Sequence, residues 1–199
     1  MRGPLPSLFA PRPGRRRFLW AVFVAGLVFG VAQLPALATM GDHGVGIIEF
    51  ELARTSHKAA QLVSDLGPHG RWAARISLYL DYGYLLGYGL FFAGACVVVS
   101  ERARELGWRR WGALGVALAW GVLLAAGLDA IENGALLVVL GRHTAQPWPG
   151  IAFACAAPKL VLVGLAQLYA LVGWIVTAAM RRRERTAPGT SPRSSTPRP

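Results

Sequence analysis

Four apolar runs, each long enough to cross a bilayer, limit what this chain can fold into. Phe18 to Ala38 carries no charge at all, and between Arg75 and Glu101 the only charge is Asp81. Between Arg110 and Arg142 the only charges are Asp129 and Glu132, and Ile151 to Met180 is broken only by Lys159. A hydrocarbon core of about 30 Å needs about 20 helical residues to cross it. Inside it every backbone N–H and C=O must be satisfied within the protein, which leaves helices or closed barrels. Runs this long and this continuous predict helices. The expected fold is therefore all-α: a polytopic membrane protein with transmembrane helices at about 18–38, 76–99, 111–140 and 151–180, bundled together. Apolar residues make up 54% of the chain against 16% charged, which excludes an ordinary soluble domain.

The net charge of +11 would suggest nucleic acid if it formed a patch on a soluble surface. Instead the basic residues punctuate the apolar runs, so they read as topology signals facing anionic lipid, and no nucleic-acid partner is expected. With both termini on one side, that side carries 15 Lys and Arg, the two loops opposite carry 5, and Lys159 completes the 21. The positive-inside rule then puts both termini in the cytoplasm. Trp20, Trp108 and Trp111 mark the inner interface, and Trp72 and Trp148 the outer one.

Residues 1–17 are rich in Pro, Gly and Arg, and 181–199 are basic and then rich in Pro, Ser and Thr. Neither composition can build a packed core, and both segments are expected to be disordered. Arg15-Arg16-Arg17-Phe18-Leu19 resembles a twin-arginine signal, and Ala36-Leu37-Ala38 a cleavage site. The length of the first apolar run favours a retained span over a cleaved leader. Residues 39–74 form the one sizeable loop. Val45 to Leu52 reads as extended or helical. Thr55 or Ser56 can then cap a short helix with Ala59, Ala60, Leu62, Val63 and Leu66 on one side, stopped by Gly67-Pro68. That amphipathic helix is expected on the outer membrane surface or capping the bundle.

The informative polar stretch is Asp129-Ala130-Ile131-Glu132-Asn133, whose three polar residues share one helical face. At 1.5 Å per residue from the outer helix ends, Asp81 lies ~8 Å deep, Glu132 and Lys159 ~12 Å and Asp129 ~16 Å. Gln33 falls in the same half of the first helix, and Tyr84 and Tyr88 share the Asp81 face. All the ionisable groups inside the membrane thus converge on one layer from three helices. An isolated charge there costs about 2.5–3.5 kcal/mol on insertion scales, so pairing with Lys159 is expected. Asp81, Tyr84, Tyr88, Asp129, Glu132, Asn133, Lys159 and Gln33 are the candidate ligand-binding residues. Pro158 frees a backbone carbonyl beside Lys159. Gly83-x-x-x-Gly87 permits close helix contact.

No metal or cofactor is expected. The four histidines map to outer loops without ligand spacing, and no phosphate-binding loop, dinucleotide fingerprint or nucleophile elbow is present. Cys96 and Cys155 fall near opposite surfaces and read as buried apolar residues, not a disulfide.

Ile48-Glu49-Phe50-Glu51-Leu52-Ala53, Leu80-Asp81-Tyr82, Leu128-Asp129-Ala130-Ile131-Glu132-Asn133 and Pro158-Lys159 resemble a family of small bacterial four-helix membrane proteins with no assigned activity. The resemblance covers about residues 45–180 and implies the architecture and a bacterial cytoplasmic membrane. It implies no mechanism. Three functions stay open. The cluster holds a small polar or cationic ligand, or a proton, in a binding or transport-associated protein. Alternatively Glu132 or Asp129 is a general acid–base acting on lipid or isoprenoid headgroups, with Lys159 as electrostatic partner. The third option is a structural subunit whose polar contacts only hold helices together. Beyond the bilayer itself, protein partners are not indicated.

The topology is directly testable. Cysteines introduced singly between residues 39 and 74 should react with an impermeant thiol reagent in intact cells, beyond the background of Cys96 and Cys155. Labelling at position 104 in their place would invert the arrangement.

Overall fold

The computed structural model describes residues 14–186. Within them the chain forms six α-helices: α1 (Arg15–Asp42), α2 (Ile47–Glu51), α3 (Ser56–Asp65), α4 (Gly67–Glu105), α5 (Arg109–Leu140) and α6 (Trp148–Thr186). No strand occurs among the described residues. Four of the helices, α1, α4, α5 and α6, are long and apolar enough to cross a membrane.

These four helices run past the limits set by the apolar stretches. The 39 residues of α4 span about 58 Å, nearly twice a hydrocarbon core. Charges end the hydrophobic run without ending the helix, because Arg and Glu are good helix formers. For the same reason α1 starts at Arg15 and α6 continues to Thr186, inside the segments expected to be disordered. The remainder of those segments, 1–13 and 187–199, lies outside the described residues.

The packing is less symmetrical than a square four-helix bundle. Helices α4, α5 and α6 pack on one another, whereas α1 packs principally on α4. Glycine makes that pairing close. A Cβ on Gly87 would overlap Gly26 Cα and stand 2.7 Å from its backbone N. One turn along, Gly83 faces the ring of Phe29. The small-x-x-x-small pattern of α4 therefore serves the contact with α1.

The outer loop folds onto the end of the bundle. Thr55 caps α3 by accepting a hydrogen bond from the Lys58 N–H at 3.2 Å. Ala59, Leu62 and Val63 of α3 are buried with Met40, Phe50, Leu78, Leu136 and Leu140. The α3 helix therefore caps the bundle, its apolar face buried against helix ends. The Gly67-Pro68 pair acts differently from the stop expected of it. Gly67 takes φ +57° at the corner, and Pro68 sits in the first turn of α4, where its missing N–H costs nothing. Gln146 donates to the Arg54 carbonyl at 3.0 Å, tying the two outer loops together.

Apolar side chains form two clusters. One is this outer cap. The other lies toward the opposite end and contains Leu85, Ala93, Cys96, Val97, Ala119, Val122, Ala166 and Tyr169. Cys96 and Cys155 are free thiols.

Close approach at Gly87 gives a sharp expectation. Gly87→Val should destabilise the detergent-solubilised protein by about 1–3 kcal/mol through overpacking against α1. Gly164→Ala, at a site with nothing within 4 Å, should leave the thermal midpoint unchanged. Thermal denaturation followed by circular dichroism reads both.

Candidate functional site

Between the two apolar clusters lies a polar layer built from five elements. Helix α5 contributes Asp129, Glu132 and Asn133, all buried on one face as their i, i+3, i+4 spacing requires. Lys159 on α6, 8% exposed, reaches into that face. Its Nζ is 2.8 Å from Asp129 Oδ1 and 2.8 Å from Glu132 Oε2. A third carboxylate, Glu51 Oε2 on α2, stands 3.9 Å away. Pro158 is accommodated inside α6 directly before this lysine.

The other acids have their own donors. Tyr88 donates its hydroxyl to Asp129 Oδ2 at 2.8 Å. Asn133 Nδ2 donates to Asp81 Oδ2 at 2.7 Å, and Gln33 Nε2 to Asp81 Oδ1 at 3.3 Å. Gln33 in turn accepts from the Ser77 hydroxyl at 3.3 Å. Asp81 is thus held by α1 and α5, and Asp129 by α4 and α6. Glu132 is the exception. Its carboxylate is fully buried, and neither oxygen meets hydrogen-bond geometry with a described group. The 2.8 Å approach of Lys159 is a charge–charge contact at an unfavourable angle. Both facts stand together, because Coulomb attraction does not depend on angle and a hydrogen bond does.

Seven of the eight expected residues therefore lie in this layer as two bonded sets, Gln33, Asp81 and Asn133 in one and Tyr88, Asp129, Glu132 and Lys159 in the other. Tyr84 joins neither by a hydrogen bond. It is 39% exposed and its ring packs on that of Tyr88, centroids 5.3 Å apart. Its ring lies on the side of α4 that meets α1, against Gly30.

Two members were not anticipated. Ser77 lies one turn before Asp81, a spacing visible in the sequence. Glu51 comes from the loop, and only the folding of α2 over the bundle end brings it to Lys159. Burial holds the Glu51 carboxyl above the usual carboxylate range. Lys159 opposes that shift, while Asp129 and Asp81 add to it. Glu51 is also the member of the Lys159 group with the most solvent contact, its side chain 18% exposed. The four histidines stay on the surface, away from the layer. Among the described residues no three His, Cys, Asp or Glu side chains are grouped as a metal ion requires.

The arrangement holds three carboxylates within 4.0 Å of one ammonium, and a fourth, Asp81, bonded by the amides of Asn133 and Gln33 in the same layer. It can bind positive charge and can pass protons between neighbouring oxygens. Comparison with protein-family models, with curated proteins and with solved structures gives no match for this chain.

Two magnitudes separate the bonds in this layer. Breaking a buried ion pair by removing one partner costs about 3–5 kcal/mol. Interhelical hydrogen bonds in membranes average about 0.6 kcal/mol, with a maximum of about 1.7. Lys159→Met should therefore destabilise far more than Tyr88→Phe. Lys159→Met combined with Asp129→Asn should recover a large part of the loss, measured as coupling in a double-mutant cycle. Additive losses would mean that Lys159 and Asp129 do not interact.

Proposed function

We propose that this chain is a non-enzymatic, multi-pass protein of the bacterial cytoplasmic membrane that binds a small cation, the proton, in the layer around Lys159. One observation carries the reading: Glu51, Asp129 and Glu132 share a single ammonium, and Glu132 is wholly buried with no hydrogen-bond donor of good geometry. Three acids around one ammonium leave an excess of negative charge, which is expensive at that depth, so added positive charge is the state the fold favours. Glu132 is the acid that takes it, because Asp81 and Asp129 each accept hydrogen bonds and Glu132 accepts none. Protons reach the layer past Glu51, whose position between the loop and Lys159 makes it the outer entry. The basic asymmetry of the chain supports termini on the cytoplasmic side. A proton fits this geometry better than a metal ion, which needs a convergent ligand set. Such a site suits a transport-associated role, in which proton occupancy changes how the helices pack.

Infrared difference spectroscopy on the protein in lipid vesicles, across about pH 5 to 8, tests this. A protonated-carboxyl C=O stretch should be present in the wild type and lost in Glu132→Gln. Glu51→Gln should keep the band but slow its deuterium exchange. Absence of any such band, or a spectral change driven by sodium or potassium at fixed pH, would defeat the proton reading. Persistence of the band in Glu132→Gln would place the proton elsewhere and defeat the assignment.

A further inference from the structure

The end of the bundle opposite Arg15 carries a different kind of site. A cavity of about 350 Å³ opens there between the start of α4 and the end of α5, lined by Arg71, Arg75 and Arg142 together with Pro68, Trp72 and Leu140. Arg71 and Arg75 share one face of α4 at i, i+4, and Arg142 follows Gly141 at the end of α5. No acidic residue lines the cavity. None of the three arginines makes an ion pair among the described residues.

That side of the chain holds only five basic residues: Arg54, Lys58, Arg71, Arg75 and Arg142. Two have partners elsewhere. Lys58 pairs with Glu49 at 2.7 Å, and Arg54 stands over the Phe153 ring at 5.5 Å. The other three converge on one cavity, against the bias that gathers basic residues on the side of the termini. The carbonyl end of α5 accounts for part of this, since Arg75 donates to the Leu140 carbonyl at 3.3 Å. A helix end carries about half a negative charge, too little to balance three guanidinium groups. Arg142 also takes φ +69°, the left-handed position that glycine favours at a helix end. Gly141 stands one residue earlier at φ −73°. The chain thus holds an arginine where glycine would suit the backbone better.

We infer that this cavity is a binding site for a phosphate oxyanion, held by the guanidinium groups of Arg71, Arg75 and Arg142. Guanidinium groups present planar paired donors that match phosphate oxygens, and the Leu140 carbonyl takes only one of those on Arg75. The volume falls at the small end of ligand pockets, which run from about 300 to 1,000 Å³. Trp72, 61% exposed at the rim, is an amphipathic ring of the kind favoured at headgroup level. The phosphate is therefore that of a lipid headgroup or of a soluble anion, and the chemistry that holds it is the same. None of the residues lining the cavity belongs to the acidic layer, so loss of proton binding at Glu132 leaves the inference standing.

Full-length protein in a phosphate-free non-ionic detergent provides the test, in two arms. In the first, inorganic phosphate is titrated in at an ionic strength held constant with chloride, and binding is read as broadening of its phosphorus NMR line. In the second, equal phosphatidylglycerol and phosphatidylcholine are added and the retained lipid is read by native mass spectrometry. Broadening assigns the site to soluble phosphate, and several-fold preference for phosphatidylglycerol assigns it to a headgroup. In whichever arm responds, Arg142→Gly should cut the response several-fold while keeping or raising the thermal midpoint, because glycine suits φ +69°. Arg71→Gln should cut it too, and decides the matter if Arg142→Gly does not fold. Arg54→Gln with Lys58→Gln, on the same side but outside the cavity, should keep it. A wild type that responds in neither arm would overturn the inference. So would a response unchanged in Arg142→Gly and Arg71→Gln, or an equal loss in the control pair, which would mean diffuse surface charge.

Discussion

Lys159 is the contact on which the interior depends. It is the only cation in a layer that also holds Asp81, Asp129 and Glu132, and Glu51 leans in from the loop. Lys159 is on α6, its two closest acids on α5, Asp81 on α4, and Gln33 on α1 reaches Asp81. Lipid offers helices no hydrophobic reason to associate, so polar contacts and close packing carry specificity. Here the two share one stretch of α4: Asp81 and Tyr88 make polar contacts, and Gly83 and Gly87 between them make the close approach to α1.

The outer cap changes what that layer experiences. A polar cluster open to water would be screened and cheap to charge. Phe50, Leu62, Leu136 and Leu140 instead form an apolar lid above it. Beneath it the second apolar cluster closes the other side. Charge balance in between is then an internal matter of the protein, and Glu51 is the group that joins it to the exterior. The same cap explains why a chain with only short loops holds a five-residue helix at all: α2 buries Phe50 and aims Glu51 inward while Glu49 turns outward to Lys58 at 2.7 Å.

Much of this was legible in the sequence because the relevant physics is one-dimensional. Hydrophobic run length gives the spans, and 1.5 Å per residue gives depth, so the convergence of Asp81, Asp129, Glu132 and Lys159 can be computed before any packing is known. Helical period put Asn133 with Asp129 correctly. What depth and period lack is azimuth, the rotation of each helix relative to its neighbours. That is why period groups Tyr84 with Tyr88, though its ring turns to Gly30 of α1 and makes no hydrogen bond to the acids. Loop folding is equally hidden, and Glu51 could not be placed beside Lys159 from spacing alone. Helix ends are hidden too, since Arg75 and Glu101 mark where the apolar run stops and not where hydrogen bonding stops.

The order of the charged residues along the chain has a consequence for synthesis. Gln33 is made 44 residues before the Ser77 that bonds it, and an amide can wait in a forming bundle at modest cost. The acids face a harder problem. Asp81, Asp129 and Glu132 all leave the ribosome before Lys159, which follows Asp129 by 30 residues. The α5–α6 hairpin is therefore the smallest inserting unit in which the lysine meets its two closest carboxylates. A nascent chain stopped after α5 would hold three acids within apolar helices and lack the lysine that meets two of them.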